Sequence, residues 1–196
     1  MTPLVRSLPL ARSTYGRLLL ATGFACLTAL GAVVQIPIGP VPITLQVLFV
    51  LLSGLVLGSR LGALSQMEYL AIGLAGAPVF AGGKSGLLAL LGPTGGYLVG
   101  FAAMAYVAGL VAESAAKPGR VRFFVAGLLG IPALYLCGAI WLGSWFALAR
   151  GTNWVAELGS AWQFGVLPFI LVDVGKALVA SAVTLSGRAL VDTLKR

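Results

Sequence analysis

Long apolar runs, separated by short segments with charged and turn-forming residues, dominate this chain. A helix needs about 20 apolar residues to cross the hydrocarbon core of a bilayer. Six runs approach that length, and they predict six transmembrane helices at about residues 15–34, 43–58, 61–76, 95–111, 121–148 and 164–185. The predicted fold is therefore an all-α integral membrane bundle.

The composition supports this interpretation. Of 196 residues, 59% are hydrophobic and only 9% are charged, whereas soluble domains carry about 25% charged residues. Six spans would use roughly 120 positions at about 20 residues each. The remainder suffices only for short connections, so we expect one transmembrane domain over residues 1–196.

The basic residues predict the orientation of the bundle. Cytoplasmic loops of membrane proteins are enriched in Lys and Arg. If both termini are cytoplasmic, only Lys84 and Arg150 lie outside, and ten basic residues lie inside: Arg6, Arg12, Arg17, Arg60, Lys117, Arg120, Arg122, Arg188, Lys195 and Arg196. An odd number of spans would break this alternation. The early arginines are also typical of a signal peptide, but the first apolar run is longer than such a core and more spans follow it.

The residue inventory excludes several chemistries. Histidine is absent, which excludes Ser-His catalysis and histidine-ligated metals. Cys26 and Cys137 both lie in apolar runs, where cysteine behaves as a small hydrophobe. The GGKS segment at residues 82–85 resembles a phosphate-binding loop, but Pro78 stands where that motif requires glycine. We therefore expect no catalytic residue, metal or cofactor, and no nucleic-acid partner.

Asp173 and Lys176 are charged residues within the sixth apolar run. Residues three positions apart lie on one helix face. Each charge costs about 2.5–3.5 kcal/mol at the centre of a membrane helix, so the pair predicts a binding or transport site. The alternative is an internal ion pair with a purely structural role.

The connection between the third and fourth runs is rich in glycine yet apolar, and it contains seven glycines between Gly76 and Gly96. An apolar irregular segment is expected to fold over a cavity because exposure to water is unfavourable. Phe80 and Tyr97 could supply apolar walls, and Lys84 a charge for an anion. The equally weighted alternative is a plain connector with a solvated Lys84.

The connection between the first two runs contains three prolines before Thr44 and Gln46. Prolines stiffen a loop, and the two polar side chains could bind a ligand or cap the second helix.

Ala21, Ala25 and Ala29 recur every four residues in the first run. Such stripes permit close helix approach in lipid, either within this chain or with another subunit.

Taken in order, the segments GPVPITLQ, APVFAGG, LGPTGGYLVGF and DVGK resemble the BioY family, the biotin-binding subunits of energy-coupling factor vitamin transporters. The resemblance extends from about Ala21 to Leu185. Glu68 departs from the family pattern, because apolar residues are usual in the third span.

The resemblance implies a six-helix protein of the prokaryotic cytoplasmic membrane that captures biotin from outside. It implies that Asp173 and Lys176 contact the ureido group of biotin. The pocket would also contain Gly82, Gly83, Tyr97 and Phe80, with Thr44 and Gln46 near its cover. A contact between Lys84 and the biotin carboxylate is our own inference from charge and topology.

The resemblance further implies partners: a transmembrane coupling subunit, which would contact Ala21, Ala25 and Ala29, and two ATPase subunits. The chain itself would not be an enzyme. Alternatives are a binding subunit for another vitamin such as thiamine or riboflavin, a structural membrane subunit, and an intramembrane enzyme that uses Asp173 and Glu68.

Overall fold

The computed structural model describes residues 13–114 and 119–193. Eight helices and one short hairpin follow one another along the chain: α1 (Thr14–Val33), β1 (Gln35–Ile36), β2 (Ile43–Thr44), α2 (Gln46–Leu57), α3 (Ser59–Leu74), α4 (Gly86–Leu91), α5 (Gly95–Glu113), α6 (Arg120–Arg150), α7 (Leu158–Gly165) and α8 (Ile170–Thr193). Arg6, Arg12, Lys117, Lys195 and Arg196, which enter the charge count, lie outside the described residues.

Four helices in the described part are long and apolar enough to cross a membrane: α1, α5, α6 and residues Ile170–Val191 of α8. The helix α2 is apolar but shorter. The mostly helical membrane bundle is therefore confirmed, whereas the number of six spans and the cytoplasmic termini stay predictions.

The predicted sixth span differs from the structure. Instead of one helix from residue 164, the short helix α7 ends at Gly165, residues 166–169 form a turn, and α8 begins at Ile170. Pro168 lies in this turn; proline lacks an N–H and disfavours a helical conformation for the residue before it. The turn starts a new helix at the level of the candidate site.

The connection between α1 and α2 and the connection between α3 and α5 also contain more regular structure than predicted. The chain is not purely α-helical, because Gln35 pairs with Thr44 and Ile36 with Ile43 in an antiparallel hairpin. Consequently α2 begins at Gln46, three residues later than expected. In the second connection, the six-residue helix α4 interrupts the glycine-rich segment.

Glycines bring the central helices into close contact. Gly96 and Gly100 of α5 lie against Cys137 of α6, and Gly54 of α2 lies against the backbone of Ala105 of α5. A side chain at Gly54 or Gly96 would collide with the neighbouring helix, and one at Gly100 would make a very tight contact. This is the packing that small residues permit in membrane bundles, where close van der Waals contact holds helices together.

The helix α3 directs its polar residues into the bundle. Gln66, which is 1% exposed, donates hydrogen bonds to the hydroxyl oxygens of Ser53 and Ser65 and accepts one from Thr28. Glu68 is half-buried and accepts a hydrogen bond from Thr22 of α1. The contacts of Gln66 explain how a helix with low hydropathy belongs to an apolar bundle, because its buried polar groups find partners inside.

Candidate functional site

A cavity of about 260 Å³ lies at the end of the bundle where α1 ends and α2, α5 and α8 begin. Its walls come from α2, α5, α6 and α8, from the turn before α8, and from the α1–α2 and α3–α5 connections. Eight of the nine predicted ligand residues line it: Thr44, Gln46, Phe80, Gly82, Lys84, Tyr97, Asp173 and Lys176. Gly83 is not among the lining residues.

The polar end of the cavity is built on Asp173. Its Oδ1 atom lies 2.6 Å from Nζ of Lys176, and its Oδ2 atom accepts a hydrogen bond of 2.8 Å from the hydroxyl group of Tyr135. Asp173 is 1% exposed and Lys176 8%. The carboxylate and the ammonium balance each other, so this end of the cavity can offer both acceptors and donors without net charge.

The start of α8 explains where these charges lie. Asp173 is in the first turn, where the helix dipole favours a carboxylate, and its N–H donates to the carbonyl oxygen of Phe169. Lys176 follows on the same face. The turn that breaks the predicted sixth span thus sets the depth of the ion pair.

Tyr97 holds that turn against the rest of the bundle. Its hydroxyl group donates a 2.6 Å hydrogen bond to the carbonyl oxygen of Gly165. Its ring occupies the space where side chains of Gly138 and Gly165 would stand. Tyr97 therefore combines a place in the cavity wall with a link between α5, α6 and the end of α7.

A chain of hydrogen bonds beside the cavity links the α1–α2 connection to the α3–α5 connection. The Thr44 hydroxyl group donates to Oε1 of Gln46 over 2.9 Å, and Nε2 of Gln46 donates to the Tyr69 hydroxyl oxygen over 2.7 Å. The Tyr69 hydroxyl group in turn donates to the carbonyl oxygen of Val79 over 3.0 Å. Thr44 and Gln46 are buried, so they serve this network as well as the cavity wall.

Of the two alternatives for the glycine-rich connection, the structure favours the one in which it lines the cavity, through Phe80, Gly82 and Lys84. Phe80 packs edge-on against Tyr69 and fills the space above Gly73. The chain then reverses through Gly82 and Gly83, which have positive φ of 77° and 69°, and Phe80 pairs with Lys84 across this turn. Residues that carry a side chain rarely adopt such φ values, so the turn depends on the two glycines.

Two further contacts fix this connection. Gly82 lies beside the side-chain amide of Gln35, which brings the two connections together. The Trp141 indole N–H donates to the carbonyl oxygen of Gly92 over 2.9 Å. Lys84 is exposed at the rim, so it can meet a charged group at the outer end of a ligand.

Apolar side chains form the wall between the rim and the ion pair: Val47, Leu98, Phe101, Leu134 and Phe169. The cavity therefore suits a ligand with a neutral, hydrogen-bonding head, an apolar body and an anionic end. In residues 13–114 and 119–193, no group of three Cys, Asp or Glu side chains is arranged to hold a metal ion.

The predicted alanine stripe faces inward. Ala21 and Ala25 are 0% and 1% exposed, and Ala29 is half-buried. Of the two alternatives for the stripe, the structure shows packing within this chain. Its contact with a coupling subunit stays a prediction.

Two polar residues, Tyr135 and Gln35, are among the cavity residues that the sequence did not predict. A tyrosine within an apolar run is indistinguishable from a core aromatic by spacing alone. The hydroxyl group of Tyr135 is the signal that could have identified it, because a buried Tyr usually needs a hydrogen-bond partner. Asp173 and Lys176, the charged groups expected inside the bundle, were the candidate partners.

Comparisons with known proteins identify the family of this chain. The BioY family profile matches residues 6–193. A probable biotin transporter BioY from Pyrococcus horikoshii is 43% identical over 157 residues, which cover 80% of this chain and 86% of the relative. The biotin transporter BioY from Thermotoga maritima is 40% identical over 162 residues, which cover 83% and 89%.

A solved structure has a similar fold. It is the crystal structure at 2.1 Å of the S-component for biotin from an ECF-type ABC transporter. The match has a TM-score of 0.71 and 27% identity, and it covers 89% of both chains.

Proposed function

This chain belongs to the BioY family, whose profile spans nearly its whole length, and from this premise we propose that it is the membrane subunit that captures biotin for uptake. The observation that carries the proposal is the cavity with a neutral ion pair at one end and a lysine at its rim. The family and the named relatives are transporters, so the enzyme alternative is wrong.

Biotin matches the chemistry of the cavity at each level. Its ureido group has two N–H donors and one carbonyl acceptor, its fused rings and tail are apolar, and the tail ends in a carboxylate. An aspartate offers about four lone-pair sites and a lysine three donors. The contacts of Asp173 with Lys176 and Tyr135 therefore leave acceptors for ureido N–H groups, and Lys176 keeps donors for the ureido carbonyl.

The remaining proposed contacts follow the cavity outward. Phe80, Gly82 and Tyr97 cover the rings and the tail, with Gly83 in the same turn. Thr44 and Gln46 support the cover from the other connection. Lys84 meets the carboxylate, supported by its exposed position at the rim.

We propose that this chain crosses a prokaryotic cytoplasmic membrane six times, with both termini in the cytoplasm. A transmembrane coupling subunit and two ATPase subunits would supply the energy, because this chain has no phosphate-binding loop. Contact through Ala21, Ala25 and Ala29 requires that this face of α1 become accessible in the assembly. No cofactor is proposed.

The test is equilibrium binding of biotin to the purified full chain, beside Asp173→Asn and Lys176→Met. A hydrogen bond to a charged group contributes about 1.5–3 kcal/mol, so each change should raise Kd by about tenfold or more. Arg188→Met, a basic residue further along α8 that does not line the cavity, is the control and should bind as the unaltered chain does.

Iminobiotin sharpens the test, because a guanidinium group replaces the ureido group and is protonated at neutral pH. It keeps the donors for Asp173 but brings a positive charge to Lys176 where biotin brings an acceptor. The unaltered chain should strongly prefer biotin, and Lys176→Met should reduce that preference. Tight binding of thiamine or riboflavin without binding of biotin would contradict the proposal.

A further inference from the structure

A second cavity of about 690 Å³ lies on the side of the bundle, between α6, α7 and α8. We call it the lateral groove. Its walls include Leu128, Leu136 and Ile140 of α6, Ile170 and Val174 of α8, and Trp162 of α7. Several of these side chains are exposed, Leu136 to 64% and Ile140 to 54%, so the groove opens outward from the bundle.

The walls of the groove match a hydrocarbon. No charged residue is among the residues that line it in the described chain. Three lining residues carry polar groups: the Tyr135 hydroxyl group is bonded to Asp173, the Trp154 indole N–H donates to the carbonyl oxygen of Ile140, and Trp162 has its indole N–H on a side chain that is 54% exposed. An occupant therefore meets apolar surface and, at Tyr135 and Trp154, polar groups that already have partners.

The length and position of the groove match one leaflet of a bilayer. From Leu128 to Ile140 the helix rises by roughly 18 Å at 1.5 Å per residue, and half of a hydrocarbon core is about 15 Å. Both α6 and α8 are membrane-span candidates. Trp154 and Trp162 line the groove at the cavity end of the bundle, and tryptophan favours the headgroup level.

From these observations we propose that the lateral groove binds one acyl chain of a phospholipid from the leaflet at the cavity end of the bundle. A transmembrane helix of a partner fits less well, because helix contacts in membranes favour small residues, and apart from Ala139 and Ala161 the walls here are mostly large aliphatic and aromatic side chains. The bound acyl chain lies against Tyr135, which lines both cavities.

The test is native mass spectrometry of the full chain in detergent, titrated with dioleoylphosphatidylglycerol. Ala139→Phe fills the groove, since Ala139 lines it. Leu171→Phe is the matched control, because Leu171 is 83% exposed on α8 and does not line the groove. The unaltered chain and the control should bind one lipid with the same affinity, and Ala139→Phe should bind it about tenfold more weakly or worse.

Three results would overturn the proposal: no stoichiometric lipid on the unaltered chain, equal binding by Ala139→Phe, or loss of a coupling subunit from Ala139→Phe while lipid binding is unchanged. If Ala139→Phe does not fold, Leu136→Asn replaces it, with Leu171→Asn as control. Leu136 is mostly exposed in the groove wall, so the polar side chain weakens lipid binding without disturbing the interior.

Discussion

Tyr135 on α6 donates a hydrogen bond to Oδ2 of Asp173 on α8, with 2.8 Å between the two oxygen atoms. The same carboxylate holds Lys176 through its other oxygen. Tyr135 thus fixes the orientation of the carboxylate from a helix that carries neither charge.

Tyr135→Phe should weaken biotin binding by about tenfold, because it removes a hydrogen bond to a charged group that is worth about 1.5 kcal/mol or more. Isothermal titration of the purified chain measures the change. Tyr106→Phe on α5, where Tyr106 is 43% exposed, is the control and should leave Kd unchanged. Equal Kd for Tyr135→Phe and the unaltered chain would show that the ligand does not need this contact.

Gly138→Ala should destabilise the protein by about 1–3 kcal/mol, which is typical of overpacking, because a side chain there collides with the Tyr97 ring. Biotin binding should weaken in the same variant, since Tyr97 forms part of the cavity wall. Thermal unfolding and biotin titration report the two effects. For comparison, Gly187→Ala in α8 meets no neighbouring atom and should raise stability by up to about 1 kcal/mol.

Tyr69→Phe should accelerate biotin release. The change removes the hydroxyl group between Gln46 and Val79 and leaves two buried polar groups without a partner, at a cost of about 1–3 kcal/mol. The connection that carries Phe80 then loses its anchor to the start of α2. Stopped-flow displacement of biotin measures the rate, and an unchanged rate with lowered thermal stability would mean that the network supports the fold alone.

The lowered pKa of Glu157, which lies between α6 and α7, predicts that the stability of the protein depends on pH. A hydrogen bond from Thr152, with further contributions from Ser160 and Arg150, holds the pKa of Glu157 below its usual range, although burial acts in the opposite direction. Because the folded-state pKa is lowered, the stabilisation is present above the unfolded value of about 4.3 and is lost as the pH falls through the folded-state pKa.

In Glu157→Gln, the melting temperature should therefore be lower at neutral pH, and its decrease between pH 5 and acidic pH should be smaller than in the unaltered chain. Melting curves across this range test both statements. Parallel curves for the two proteins would exclude Glu157 as a source of acid sensitivity.

The apolar runs predicted most of the helices because hydrocarbon demands continuous hydrophobic length, which is visible along the sequence. The break before α8 was missed because residues 164–169 are largely apolar whether they form helix or turn. The hairpin at Gln35 and Thr44 was missed because two-residue strands leave no periodicity to detect.

The candidate site was predictable where residue type is unusual for its surroundings. Asp173 and Lys176 are conspicuous in an apolar helix, and the glycines at 82 and 83 mark a turn. Tyr135 is not unusual in this way, because an aromatic residue is common in an apolar helix. The inward orientation of Ala21 and Ala25 depends on which helix lies beside α1, and no pattern within a single helix specifies that neighbour.

Because Asp173 and Lys176 lie one turn apart on the same helix, they move together whenever α8 moves. A single charge that crosses a membrane potential of 100 mV exchanges about 2.3 kcal/mol with the electric field. The pair carries opposite charges at nearly the same depth, so its displacement across the bilayer exchanges almost none. Any movement of α8 that displaces the polar end of the cavity would therefore be electrically silent as far as these two residues are concerned.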